Sequence, residues 1–290
     1  MHVLVAGAGW LGASLARALV ARGDRVTAVR RDPARAALLA GLGAKPLALD
    51  LSDPASADRL PRDVQAVVAC QAAEGEGVEA YRRAYLDANR ILLEGARRLG
   101  VRTFVYTGST GVFGQRDGSD VYEASAPAPV GAASEVLAEA EALVLGQDAV
   151  PASVLRLSGL YGPERCWPVL RVQSGRLCLG PGDDAWMNFC HREDAVAAVS
   201  AVLDRGQPGR VYHASDAHPA RRREVVEWVA ARLGVPAPRR GPEAATPPGP
   251  SRRVHAEKTR EELGLSLRFP SYREGVEAEL ALAPPPPVRA

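Results

Sequence analysis

Six residues near the start of the chain, Gly7-Ala8-Gly9-Trp10-Leu11-Gly12, constrain the fold more than any other stretch. They follow a short apolar run, His2 to Ala6, and open an amphipathic helical pattern from Trp10 to Ala21. A strand that turns through glycines into a helix leaves the first N–H groups of that helix unsatisfied and aimed at one spot. The first glycine permits the tight turn, the second lets backbone amides approach a pyrophosphate, and the third lets the helix pack close on the strand. A GxGxxG spacing alone is weak; its position between a strand and a helix makes it specific. Residues 1–50 therefore predict a dinucleotide site, with Gly7, Gly9, Trp10, Leu11 and Gly12 at the pyrophosphate.

The second strand pattern, Arg25 to Val29, decides the ribose chemistry. A site for NAD ordinarily carries Asp or Glu at the tip of this strand, to accept from the ribose 2′-hydroxyl. Here the tip reads Arg30-Arg31. Guanidinium matches a phosphate with a bidentate fork, so Arg30 and Arg31 predict NADP over NAD. The alternative is that Asp32 takes the ribose and the arginines face solvent. At the end of the third strand pattern, Lys45 to Leu49, Asp50 is positioned to accept from the adenine amino group, with Leu51 against the ring.

Further strand patterns at 64–69, 102–107 and 152–157 alternate with helical patterns at 33–41, 79–99 and 131–145. This alternation predicts an α/β protein, a Rossmann doubly wound and mostly parallel sheet. After Leu157 the rhythm breaks. Residues 158–190 read as irregular, and a helix at 193–203 with a strand at 210–213 returns to the sheet. The expected organisation is a dinucleotide-binding domain over 1–157, completed by about 191–214. A small C-terminal substrate lobe follows from 158–190 and 215–282, and 283–290 reads as a proline-rich tail. Residues 236–250 hold six prolines and read as an extended loop.

Composition narrows the function classes. A net charge of +2 over 290 residues argues against a nucleic-acid or membrane-surface partner. The four cysteines, Cys70, Cys166, Cys178 and Cys190, form no CxxC pair, and no histidine stands at zinc-finger spacing, so no metal site is expected. Reduced thiols, no signal peptide and no apolar run of membrane-spanning length predict a cytoplasmic protein.

Taken in order, five segments resemble the short-chain dehydrogenase/reductase superfamily, in its extended or atypical epimerase/dehydratase branch. They are Val5 to Gly12, Asp50 to Asp53, Phe104 to Gly114, Leu155 to Pro163, and Asn188 to Asp194. The resemblance covers almost the whole chain. It implies a catalytic Ser or Thr with a Tyr-x-x-x-Lys pair, where Tyr moves the proton and Lys lowers its pKa. Ser109 matches the Ser position, with Thr110 beside it. The Glu-Ala-Glu run at 139–141 sets a register that puts Ala133 at the Tyr position and Leu137 at the Lys position. The only lysines are Lys45 and Lys258, and neither follows a tyrosine by four residues.

Tyr161 and His191 flank the pocket implied by the resemblance and are the candidate replacements for the proton partner; the alternatives are packing for Tyr161 and a helix start for His191. Tyr122 is a third, with a loop-anchor alternative. Arg165 and Asn188 are candidate contacts to the substrate. The resemblance implies a small-molecule substrate, nucleotide-linked in some relatives, and a homodimer through the helices at 79–99 and 131–145. The leading expectation is an NADP-dependent oxidoreductase or nucleotide-sugar epimerase-like enzyme. The alternatives are an NADP(H)-binding sensor or scaffold without turnover, and a non-redox isomerase or cyclase.

Overall fold

The computed structural model describes residues 1–75, 77–241 and 249–282. The proline-rich tail and residues 242–248 of the proline-rich loop lie outside them. Seven strands build the central sheet: β1 His2–Ala6, β2 Arg25–Arg30, β3 Lys45–Ala48, β4 Ala66–Ala69, β5 Thr103–Ser109, β6 Ala152–Leu157 and β7 Val211–Ala214. Their order is β3-β2-β1-β4-β5-β6-β7, and every pairing is parallel, where the sequence predicts a mostly parallel sheet. The order reverses between β1 and β4. At such a switch point two connections leave the sheet in opposite directions, and a crevice opens beyond the carboxyl ends of the strands.

The helices are α1 Trp10–Ala21, α2 Pro33–Ala37, α3 Ala88–Leu99, α4 Ala132–Leu145, α5 Trp167–Gln173, α6 Arg192–Arg205, α7 Arg222–Leu233, α8 Glu257–Leu263 and α9 Tyr272–Leu282. The period of two along each strand sorts its side chains between the two faces. Val3 and Val5 of β1 pack with Leu15 and Leu19 of α1 and Val199 and Val202 of α6. Leu4 and Ala6 point the other way, toward Leu92 of α3 and Val136 and Ala140 of α4. Both sides of β1 are therefore fully buried, which is why it reads as a continuous apolar run.

A third apolar cluster lies outside the sheet, from Tyr161, Val169, Phe189, Val225, Tyr272 and Val276. It joins α5, α7 and α9 to short strand pairs, among them Gly159–Tyr161 against Phe189–His191. The region that reads as irregular thus contains ordered elements. Strands of two or three residues are too short to show a hydrophobic period.

One helix departs from expectation in a way that bears on the site. The pattern over 79–99 reads as a single helix. In the structure a turn at Val78–Tyr81 passes through a π-helical segment, Arg82–Asp87, before α3 begins. The wider turn inserts a residue and rotates what precedes it relative to α3. No helix among the described residues is long and apolar enough to cross a membrane.

Candidate active site

A cleft of about 630 Å³ opens at the carboxyl ends of the strands, at the switch point. The glycine loop forms its floor. Gly7 has φ +83°, and a Cβ there would lie 2.3 Å from the Cα of Gln71, so turn and packing both demand glycine. A Cβ on Gly12 would lie 2.6 Å from the Gly7 carbonyl oxygen and 2.9 Å from the Cys70 sulfur, so Gly12 sits behind the cleft and lets α1 approach the turn. Gly9 is different. A Cβ there would meet no neighbour nearer than 3.8 Å, so the fold itself leaves this space open on the cleft side of α1. An open cradle at the first turn of a 12-residue helix fits the pyrophosphate of a dinucleotide.

Trp10, Leu11, Arg30, Arg31, Asp50 and Leu51 line the same cleft. Asp50 accepts from the backbone N–H of Ser52 at 2.9 Å and from its hydroxyl at 2.7 Å, and these bonds hold its carboxyl below the usual range. Asp32 does not line the cleft: it caps α2, accepting from the Arg35 N–H at 2.7 Å. The arginines are partly engaged. Arg30 donates to the Ala8 carbonyl at 3.2 Å, and Arg31 pairs with Glu74 at 2.6 Å with both side chains well exposed.

Ser109 ends β5 and also lines the cleft. Its oxygen accepts from the Gly111 N–H at 2.9 Å, which leaves its own proton free to donate. Thr110 is buried and donates to the Leu157 carbonyl at 3.3 Å, so its hydroxyl is turned into the sheet. Leu137 lines the cleft beside this turn, and Ala133 lies on the first turn of α4.

Besides Gly12 and Thr110, three expected site residues do not reach the cleft. Tyr161 is fully buried in the outer cluster, packed edge-on to Phe189 and His191. His191 is also buried. Its Nδ1 accepts from the Glu193 N–H at 3.2 Å, capping α6, and its Nε2 meets Glu279 at 3.1 Å. Burial pushes its pKa down to about 4, so it is neutral and acts as a helix cap. Asn188 spends its amide on the backbone, donating to the Arg252 carbonyl at 3.0 Å and accepting from the Val254 N–H at 2.7 Å. In each case an apolar or backbone partner nearer in space wins the side chain. Tyr122 stacks on His255 with ring centroids 4.7 Å apart, as a loop anchor would. Arg165 does line the cleft.

The cleft also holds residues that the sequence reading passed over: Arg35, Gln71 and Tyr85. Arg35 lies one turn beyond Arg31, a spacing that was open to inspection. Gln71 follows β4 at the switch point, and its Oε1 is buried without a partner among the described residues. The Tyr85 hydroxyl accepts from the Ala73 N–H at 3.4 Å, and its presence depends on the π-helical segment, which no sequence period announces. No group of His, Cys, Asp and Glu among the described residues is arranged to hold a metal.

Comparison with known proteins agrees with this fold. Protein YeeZ of Escherichia coli K12 is 31% identical over 229 residues, covering 76% of this chain and 79% of YeeZ. A 3-diazoavenalumate denitrifying reductase of a Streptomyces species is 30% identical over 307 aligned residues, covering 96% of this chain and all of the reductase. Among solved structures, a functionally unknown conserved protein of Silicibacter pomeroyi superposes with a TM-score of 0.80 at 28% identity, covering 97% of this chain and 99% of that one. DesIV, a dTDP-glucose 4,6-dehydratase of Streptomyces venezuelae with NAD and TYD bound, superposes at 0.84 and 22% identity, covering 97% and 96%, and shares the fold. The profile of one family matches residues 3–215, from the first strand to the end of the seventh. The chain belongs to the NAD dependent epimerase/dehydratase family.

Proposed function

We propose that this protein binds NADP(H) in the switch-point cleft and is an NADP-dependent oxidoreductase, or an epimerase-like enzyme, acting on a small carbonyl or hydroxyl substrate. The observation that carries this reading is convergence: the open cradle at Gly9, the guanidiniums of Arg30 and Arg31, and the Ser109 hydroxyl all border one cleft. A nicotinamide would supply hydride chemistry there. Backbone amides at the start of α1 would hold its pyrophosphate, and Asp50 with Leu51 its adenine. Arg30, Arg31 and Arg35 would hold the 2′-phosphate, with Arg31 exchanging Glu74 for it. Ser109 would donate its free proton to the substrate oxygen and polarise it.

Leu137, apolar where the resemblance implies lysine, supports a second reading: binding of NADP(H) without turnover. Titration of NADPH and NADH separates cofactor choices; tighter NADH binding would sink the role given to Arg30 and Arg31. A screen of carbonyl and nucleotide-sugar substrates, read at the nicotinamide absorbance, separates enzyme from binder. Ser109→Ala should cut any turnover by about 10²-fold or more while leaving cofactor affinity unchanged. Undiminished turnover in that variant removes Ser109 from the chemistry, and silence across the screen favours the binder. A cytoplasmic location, a substrate lobe formed by 158–190 and 215–282, and a homodimer complete the proposed reading.

A further inference from the structure

Arg165 reaches the cleft from outside the sheet. It follows β6 and the short strand Gly159–Tyr161, in the turn Gly162-Pro163-Glu164-Arg165. This turn is fastened to the glycine loop: the Trp10 indole N–H donates to the Pro163 carbonyl at 2.9 Å. The Arg165 guanidinium carbon lies 5.2 Å from the centre of a Trp10 ring, and that of Arg192 lies 4.8 Å from it. Trp10 is the first residue of α1. Two guanidiniums and the positive end of a helix dipole therefore gather around one indole. No carboxylate among the described residues lies within ion-pair distance of either guanidinium, and of the two only Arg192 has its charge felt by a nearby carboxylate, that of Glu279. Arg165 is thus left available to an anion in the cleft.

The backbone here is held in a costly conformation. Glu164 has φ +67°, the only positive φ at a non-glycine among the described residues. The Arg165 N–H donates to the Gly162 carbonyl at 3.0 Å, and the Arg165 carbonyl accepts from the Trp167 N–H at 2.8 Å, so the turn is pinned on both sides of the arginine. A strained residue held by its surroundings preorganises what it carries, and here it carries a cation at the rim of the cleft.

We propose that Arg165 is a pyrophosphate clamp: it closes on the cofactor's phosphates beside the first turn of α1, and is not a contact to the substrate. This rests on the cofactor reading above. Trp10 is the reason for choosing the pyrophosphate. The guanidinium lies beside the first turn of α1, where the phosphates would be held, whereas the 2′-phosphate site at Arg30 and Arg31 lies beyond the tip of β2. The clamp also joins the outer cluster to the cofactor, through Trp10 and Pro163.

Calorimetric titration of the full chain with ADP, NADPH and adenosine 2′-monophosphate tests the clamp. The first two carry the pyrophosphate; the third carries only the 2′-phosphate. In Arg165→Met, affinity for ADP and NADPH should fall about tenfold, the size of one charge-assisted contact, while adenosine 2′-monophosphate stays within about twofold. Arg165→Lys should recover part of the loss. Unchanged ADP affinity in Arg165→Met overturns the clamp, as does an equal loss for all three ligands, which would signal damage to the cleft. If the wild-type chain binds none of them, the cofactor reading fails first and the clamp fails with it. The two failures are thus distinguishable.

Discussion

At the scale of single residues, the glycine loop shows how one motif combines two separate demands. Gly12 is required by the fold, because a Cβ would press on the Gly7 carbonyl and the Cys70 sulfur; Gly9 is not, because nothing in the protein occupies its Cβ space. Gly12→Ala should therefore lose about 1–3 kcal/mol of stability by overpacking, visible as a lower Tm. Gly9→Ala should keep the wild-type Tm and lose nucleotide affinity by about tenfold, or about 1.4 kcal/mol. A destabilised Gly9→Ala with intact affinity would contradict that division. His191 carries a second residue-scale prediction. Its folded pKa of about 4 lies below its ordinary value of 6.5, through burial and the nearby charges of Arg192 and Arg268. The unfolded chain thus binds more protons between those values. Stability from neutral His191 is complete above about pH 6.5 and is lost as pH falls toward 4, a loss on the order of 2–3 kcal/mol. Glu279, whose pKa is raised by burial, contributes with the opposite sign. His191→Asn should flatten the fall in Tm between pH 6.5 and 4, although buried His213, also near 4, keeps part of the slope. An unchanged slope would mean that His191 is not held neutral.

At the scale of elements, α4 and β6 are joined by a charge pair in the interior. Arg156 and Glu141 are both almost fully buried, with the Arg156 Nε donating to Oε2 at 2.9 Å and a second, shorter bond between Nη2 and Oε1. The guanidinium also lies over the Phe113 ring. Removing one partner leaves the other charge desolvated and unpaired. Glu141→Ala should therefore cost roughly 3–5 kcal/mol, whereas Glu141→Leu with Arg156→Met should recover most of that. Thermal unfolding of the two variants checks this, and a double variant as weak as the single one would contradict it. This pair was invisible as a pair in the sequence. The Glu-Ala-Glu run was legible, but which strand residue meets Glu141 depends on how α4 lies across the sheet. The same limit explains Tyr85: residues 79–99 read as one helix, and the π-helical segment that turns the tyrosine toward the cleft leaves no periodic trace.

At the scale of the whole molecule, the outer cluster closes around the last helix, α9. A Cβ on Gly275 would lie 1.9 Å from the Tyr161 hydroxyl oxygen, so α9 seats only because glycine stands there. Gly275→Ala should unseat it. Hydrogen exchange should quicken in α5, α7 and α9 while the core of the sheet stays protected and ADP still binds. Uniform quickening would mean that the outer cluster and the sheet unfold as one unit.

Features that depend only on neighbours along the chain are legible in the linear order of residues. These are the strand–glycine–helix turn, the alternation that yields a parallel sheet, the Arg30-Arg31 tip and Ser109 at the end of a strand. Each is a local pattern with a local physical cause. Which side chains share the cleft follows from packing between distant segments. Tyr161, His191 and Asn188 lie in segments that flank it, yet their side chains are taken by packing, a helix cap and backbone bonds. Arg165 reaches it from a turn and Tyr85 from the π-helical segment, far apart in the chain. Side-chain direction depends on which partners folding brings within a few ångströms, and that contest is settled in space.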